Sequence, residues 1–150
     1  MQKITPFLWF DGQAEEAANF YVSIFKNSKV TSVTRQGDKA FSVTFILDGQ
    51  EFYALNAGPQ FKFTEAISFF VNCETQGEID EKWAKLTANG GQESMCGWLK
   101  DKYGLSWQLV PPILSKLMSD KDQAKAGRVM QAMLKMRKLD ISALQKAYDG

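Results

Sequence analysis

The sequence predicts an α+β fold in which two tandem βαβββ modules form a cupped mixed sheet, followed by C-terminal helices. The order strand, helix and three strands occurs in residues 1–60 and begins again in residues 64–111. Helical spacing then replaces strand alternation in residues 112–150. With 150 residues, of which 45% are apolar, the chain can bury one sizeable core. We therefore expect a single domain, with residues 1–111 forming the modules and residues 112–150 a helical extension of the same domain.

The first module begins with a strand-like segment at residues 3–10 (KITPFLWF). Residues 14–25 (AEEAANFYVSIF) then place small and apolar side chains on one helical stripe. Three strands follow, with the sequences KVTSVTRQ, AFSVTFIL and QEFYALN. They are separated by a Gly-Asp pair at 37–38 and an Asp-Gly pair at 48–49, both typical of tight hairpins.

The second module repeats this order from residue 66. AISFFVNC (66–73) is typical of a strand, and Thr75 and Glu78 have the spacing of a helix capping box. The Gly-Gly pair at 90–91 ends that helix. The module closes with three short extended segments, around residues 92–96, 97–100 and 105–110.

The C-terminal extension is predicted to contain two helices. The Pro-Pro pair at 111–112 closes the repeat, and Ser119, with Asp122 three residues later, starts a helix that runs through VMQAMLKMRK. Asp140 caps the second helix. The methionines recur at helical spacing, which indicates packing in the core more than an adaptable docking surface.

Composition excludes several classes of protein. A net charge of +1 argues against nucleic-acid binding, which usually requires concentrated Lys and Arg. No apolar run reaches the roughly 20 residues that span a bilayer, and the N-terminus has no signal-peptide pattern. We therefore expect a cytoplasmic protein without membrane partners. Cys73 and Cys96 are too few for a disulfide framework, so free thiols are expected.

The chain contains no histidine. Nucleophilic catalysis by Ser-His-Asp or Cys-His as ordinarily built is therefore excluded, because the usual general base is missing. The commonest nitrogen ligand for zinc, nickel or iron is also missing.

Five stretches of the sequence resemble a known family. The chain resembles the vicinal oxygen chelate superfamily of glyoxalases, bleomycin resistance proteins and dioxygenases. Within it, the chain is similar to the PhnB-like group, often labelled 3-demethylubiquinone-9 3-methyltransferase-like. The stretches are ITPFLWFDGQAEEAANFY, ALNAGPQFKFTEAISFFV, EIDEKWAKLTANGG, CGWLKDKYGLSWQLVP and VMQAMLKMRKLDISALQKAY.

The resemblance implies four metal-ligand positions, one on the first and one on the last strand of each module. In this sequence those positions fall on Pro6, Ala54, Ala66 and Gln108. Only the Gln108 amide could contact a metal, and weakly, since relatives usually carry Glu there. No metal and no cofactor are therefore expected. Gln108 has two interpretations, an orienting hydrogen-bond partner for a ligand or a satisfied amide that ties two strands together.

Strand alternation predicts which side chains line the concave face. It places Phe52, Ala54 and Asn56 of the first module and Ala66, Ser68 and Phe70 of the second there, together with Ser106, Gln108 and Val110. Trp9 and Trp98 either line the mouth of the cup or pack in the core. The candidate ligand-binding residues are therefore Trp9, Phe52, Asn56, Ser68, Phe70, Trp98 and Gln108. A mostly apolar concavity with few polar groups is typical of a small-molecule site.

Cys96 is a candidate reactive thiol, because Lys100 and Lys102 lie nearby in sequence and could lower a thiol pKa. No base for it can be identified. Asp101 and Lys102 are interpreted as charges at the tip of a hairpin.

Three functional hypotheses follow. The favoured one is a metal-free protein that binds a small molecule, or a diverged enzyme of unknown reaction. The second is a metal-dependent lyase, isomerase or dioxygenase of the same superfamily. The third is a methyltransferase, as the family label says, although the sequence has no glycine-rich turn of the Rossmann type. The resemblance also implies a homodimer.

Overall fold

The structure is a computed structural model that describes residues 2–150. It divides the chain into two compact units, with the boundary between Phe63 and Thr64. Each unit contains its own four-stranded mixed sheet. The α+β fold and the two βαβββ modules predicted from the sequence are confirmed.

The first unit is a sheet covered by one helix. Its strand order is β1-β4-β3-β2, with β1 parallel to β4 and the other neighbours antiparallel. The helix packs against β2, β3 and β4. The elements are β1 (Phe7–Phe10), α1 (Ala14–Ile24), β2 (Lys29–Gln36), β3 (Lys39–Leu47) and β4 (Gln50–Asn56).

Buried side chains of α1 and the sheet form the core of this unit. On α1, the stripe that the sequence predicted is buried, and Tyr21 is fully enclosed. Phe45 on β3 and Phe52 on β4 stack with ring centroids 5.3 Å apart. Phe45 also lies 6.2 Å from the Tyr21 ring. Aromatic rings thus hold α1 against the sheet.

The second unit repeats this arrangement and adds three helices. Its strand order is β5-β8-β7-β6, with β5 parallel to β8. The elements are β5 (Ser68–Asn72), α2 (Gln76–Thr87), a 3-10 turn (Ala88–Gly90), β6 (Gln92–Glu93), β7 (Trp98–Lys100), β8 (Ser106–Val110), α3 (Pro112–Met118), α4 (Gln123–Leu134) and α5 (Ile141–Asp149).

The capping box predicted for α2 is present. The Thr75 side chain accepts a hydrogen bond from the Glu78 amide at 3.1 Å, and the Glu78 carboxylate accepts one from the Glu74 amide. From this start, α2 packs against β7 and β8. Its side chains Ile79 and Leu86 are fully buried. One face of the second sheet is therefore covered by α2.

The extension differs from the sequence prediction at its start. Residues Pro112–Met118 form α3, although the Pro-Pro pair was interpreted only as the end of the repeat. Proline is favoured in the first turn of a helix because its missing N–H needs no partner there. The next helix begins after the cap Asp122, not after Ser119, and ends at Leu134. Asp140 caps α5 as expected.

The three helices of the extension share a hydrophobic cluster with the end of β8. Its buried members are Val110, Leu114, Leu117, Val129, Leu139 and Leu144. Three methionines, Met118, Met133 and Met136, pack against it as the spacing indicated, whereas Met130 is exposed. Within residues 2–150, no helix is both long and apolar enough to cross a membrane.

Candidate functional site

The second sheet has one face turned away from α2, which we call the helix-distal face. Alternation along β8 decides its membership, because Trp107 and Leu109 are buried on the side of α2 and their neighbours point the other way. Strand register then aligns β5 and β7 with β8. The helix-distal face carries Ser68, Phe70, Trp98, Lys100, Ser106 and Gln108, and at the end of β8 also Val110, which packs in the hydrophobic cluster of the extension.

Gln108 lies at the centre of one row of this face. It pairs with Phe70 on β5 and with Trp98 on β7. Its Nε2 donates a hydrogen bond to Ser68 Oγ at 2.9 Å. The Phe70 side chain is 54% exposed and Trp98 is half-buried. The row thus presents a hydrogen-bonded amide between two aromatic rings.

Ser106 lies at the centre of the neighbouring row, between Ser68 on β5 and Lys100 on β7. It is 1% exposed, and its hydroxyl has no hydrogen-bond partner among the described residues. The Lys100 ammonium forms an ion pair with Glu65 at 2.5 Å. Through this hydrogen bond and its positive charge, Lys100 holds the pKa of the Glu65 carboxyl below its ordinary value.

The structure corrects the placement of the three β4 residues predicted for the concave face, of which Ala54 is fully buried. Phe52 is buried against α1, where it stacks on Phe45. Asn56 accepts a hydrogen bond from the Ala14 amide at 2.9 Å and donates one to the Ala40 carbonyl at 3.0 Å. The Asn56 side chain therefore joins β3, β4 and the first turn of α1. The alternation along β4 was right, but its phase was wrong.

Trp9 lies on the helix-distal side of the first sheet. Its indole N–H donates to the Gly58 carbonyl at 2.9 Å, and its ring meets Phe61 edge-on at 4.9 Å. On the same side, Phe7 of β1 pairs with Tyr53 of β4, and their rings meet edge-on at 6.2 Å. Sequence reasoning missed Phe7 and Tyr53, because both alternating sets of β4 contain apolar residues.

Asp101 is not a solvated charge at a hairpin tip. It is 2% exposed, and one carboxylate oxygen accepts the amides of Tyr103 and Leu105 at 2.9 and 3.1 Å. The other oxygen accepts the Trp107 indole N–H at 2.9 Å. A buried carboxylate is stable when all its oxygens are hydrogen-bonded to donors. Asp101 thus stabilises the turn that connects β7 to β8.

The two cysteines occupy different environments. Cys73 is buried, and burial together with the nearby Glu78 carboxylate raises the pKa of its thiol to about 11. Cys96 is half-buried in a left-handed backbone conformation just before β7. Its amide donates to the Met136 carbonyl at 2.8 Å. The nearby Lys100 ammonium is engaged with Glu65, and a role for Cys96 as a reactive thiol stays a prediction.

The residues at the four metal-ligand positions do not fit a divalent cation. Pro6, Ala54 and Ala66 have no side-chain donor atom. Gln108 supplies only an amide, which is hydrogen-bonded to Ser68. Within residues 2–150, no three His, Cys, Asp or Glu side chains lie together in an arrangement that could hold a metal ion. Of the four positions, only Gln108 therefore presents a polar side chain, an amide oriented by Ser68.

Sequence reasoning missed the significance of Lys100 and Glu65. Alternation back from Trp107 already placed Ser106 on this face, and the same rule applied to β7 would have added Lys100. Glu65 gives no such signal, because it lies in the segment before β5 and its contact with β7 is set by the fold.

Comparison with known families gives a match over most of the chain. Residues 2–110 match the family described as 3-demethylubiquinone-9 3-methyltransferase. No curated protein matches the chain. The matched region ends with β8, so helices α3 to α5 lie outside it.

Solved structures agree with this match. A PhnB protein from Bacillus cereus is 42% identical, with a TM-score of 0.69, and the alignment covers 73% of this chain and 99% of that chain. A Pseudomonas aeruginosa protein (18% identical, TM-score 0.62) is covered over 73% of this chain and 96% of its own. A genomically encoded fosfomycin resistance protein from Listeria monocytogenes (15% identical, TM-score 0.54) is covered over 77% and 94%. The last two are similar in fold alone.

Proposed function

The chain belongs to the 3-demethylubiquinone-9 3-methyltransferase family, a PhnB-like group of the vicinal oxygen chelate superfamily, and from this premise we propose that it binds a small molecule without a metal ion. The ligand lies on the helix-distal face of the second sheet. The protein is either a binding protein or a diverged enzyme with this glyoxalase-like fold.

The observation that carries this proposal is the Gln108–Ser68 hydrogen bond between two aromatic side chains. At the position where metal-using relatives carry a carboxylate, this chain places an amide that Ser68 orients. Phe70 is exposed beside it, although transfer of a phenyl ring out of water is favourable. Apolar rings around a few fixed polar groups are the usual composition of a small-molecule site.

Binding to the face can be tested with the fluorescent probe 1-anilinonaphthalene-8-sulfonate. We expect Phe70→Ala to weaken binding of this probe roughly tenfold, since a central aromatic contact often dominates such sites. Phe41→Ala is the matched control, because Phe41 is also exposed but lies on the first sheet. Equal affinity in the wild type and both variants would contradict the proposal.

Metal content separates this proposal from a metal-dependent lyase, isomerase or dioxygenase. The purified protein is dialysed and its Ni, Zn, Fe and Mn content is measured by plasma mass spectrometry. We expect far less than one ion per chain. A stoichiometric ion that survives dialysis would favour the metal-dependent enzyme, in which the ion polarises a substrate oxygen.

The family description also names a methyltransferase. Such enzymes commonly bind S-adenosylmethionine on a parallel sheet with a glycine-rich first turn. Both four-stranded sheets are mixed, with neighbouring hairpin strands, so this activity is the less favoured alternative. Calorimetric titration with S-adenosylmethionine tests it, and saturable micromolar binding would favour the methyltransferase.

The family resemblance leads us to propose a homodimer as well. Sedimentation velocity at several protein concentrations is the direct measurement. A single species with the mass of one 16.9 kDa chain at all concentrations would contradict the dimer.

A further inference from the structure

We propose that the Glu65–Lys100 ion pair is a self-occupied anion site, in which the carboxylate of a small, flat ligand replaces Glu65 at Lys100 and accepts a hydrogen bond from Ser106. This inference names the class of ligand for the face proposed above, and it rests on that proposed function. The ligand is a carboxylate with an apolar, planar body.

The ion pair joins the segment before β5 to β7. Glu65 lies just before β5, and Lys100 lies on β7. In the sheet, β8 runs between β5 and β7. Ser106 is the residue of β8 that is aligned with Lys100. The Glu65 carboxylate is therefore held at the ammonium group of the residue that pairs with Ser106, without a hydrogen bond to the Ser106 hydroxyl.

The Ser106 hydroxyl provides the second, independent observation. It is almost fully buried and has no hydrogen-bond partner in the described chain, on the face that carries Gln108. A buried hydroxyl without a partner is unfavourable in a native protein and calls for an explanation. A ligand oxygen beside Lys100 would supply the missing acceptor.

The ion pair itself can be opened at little cost. The Glu65 side chain is 62% exposed and the Lys100 side chain 35%. Exposed ion pairs contribute little to stability, because water screens them and both side chains lose rotational freedom. A ligand carboxylate that also receives the Ser106 hydroxyl therefore competes well against Glu65.

The row that contains Gln108 is the reason for proposing a planar ligand. Phe70 and Trp98 flank Gln108 next to the row that contains Ser106 and Lys100. A ring attached to the carboxylate would reach this row, where it meets two aromatic side chains and one amide. Benzoate has this chemistry, and benzamide is its uncharged counterpart.

The test uses the full chain and the two probes benzoate and benzamide, followed by amide chemical shifts in NMR titrations. We expect Lys100→Met to weaken benzoate binding about tenfold and Ser106→Ala to weaken it several-fold, with benzamide little affected. Glu65→Gln should strengthen benzoate binding several-fold, because the competing carboxylate is gone. Lys102→Met, a lysine of the same hairpin, is the control and should change neither.

The strengthening by Glu65→Gln is the decisive result, since a variant that merely damaged the fold would weaken binding. Benzoate affinity that is unchanged in both Glu65→Gln and Lys100→Met would overturn the inference. If benzamide binds as tightly as benzoate and Phe70→Ala weakens both, the carboxylate assignment fails while the proposed function stands. The carboxylate assignment also fails, with the proposed function intact, if benzoate shifts no resonance of this face but the naphthalene probe still binds there.

Discussion

Replacing Asp101 by alanine should be strongly destabilising, although its sequence context is that of an exposed hairpin. The carboxylate is 2% exposed and accepts hydrogen bonds from the amides of Tyr103 and Leu105 and from the Trp107 indole. Alanine would leave these donors without their acceptor. Two of them belong to residues that are almost fully buried, Leu105 and Trp107.

The size of the effect follows from the number of donors. A buried donor left without a partner costs about 1–3 kcal/mol. Allowing for some access of water at Tyr103, Asp101→Ala should lower the free energy of unfolding by about 3–5 kcal/mol. Asp101→Asn should cost less, about 1–3 kcal/mol, because the amide oxygen can still accept both backbone N–H groups. Its NH₂ group would then face the indole N–H of Trp107, and two donors cannot form a hydrogen bond with each other.

Urea unfolding followed by circular dichroism measures these changes. Trp107→Phe removes the indole N–H, so the double variant with Asp101→Asn no longer has two opposed donors. Its destabilisation should be smaller than the sum of the two single variants by about 1 kcal/mol. A loss below about 1 kcal/mol for Asp101→Ala, or strict additivity in the double variant, would refute this account of the turn.

Three further predictions concern other parts of the molecule. Gly97→Ala should be destabilised by more than about 1 kcal/mol in urea unfolding, because Gly97 has a φ of +85° and an added Cβ would lie 2.9 Å from the Leu109 carbonyl oxygen. Cys73, whose thiol pKa is raised to about 11, should resist iodoacetamide at pH 8 until the protein unfolds, as mass spectrometry of the labelled chain would reveal. The hydrogen bond from the Tyr148 hydroxyl holds the pKa of the Asp120 carboxyl below its ordinary value. The ionised Asp120 therefore stabilises the fold above the unfolded-state pKa, and this stabilisation is lost as the pH falls through the folded-state pKa. Tyr148→Phe should therefore lose less stability than the wild type between pH 5 and about pH 2 in thermal melts, and identical pH profiles would contradict this.

Features of the fold that depend on neighbours in sequence were predictable. The Thr75 cap of α2 and the Asp140 cap of α5 are local hydrogen bonds between residues three apart, and both formed as expected. The start of the extension was not predicted, because a proline pair is compatible both with the end of a strand and with the first turn of a helix. Here Pro112 begins α3.

The site was predictable only in part, because alternation gives two sets of residues without saying which set faces the helix. On β8 the prediction followed from the bulky pair Trp107 and Leu109, which are both buried. On β4 both sets are apolar, and the choice of Phe52 over Tyr53 for the concave face was wrong. The Glu65–Lys100 contact joins segments on either side of β8 and has no local signature at all.

The extension is hydrogen-bonded to the residues just before β7, and this affects the order in which the two units fold during synthesis. The amides of Cys96 and Gly97 donate to the carbonyls of Met136 and Arg137, so the two residues before β7 obtain their partners from a segment that is synthesised much later. The first unit, by contrast, has all its strands once Asn56 has left the ribosome. Since compact units usually fold in the order in which they emerge, the first should be complete while the second still waits for its last helices. A truncated nascent chain that stops before Met136 would therefore carry one protease-resistant half and one that remains open to cleavage.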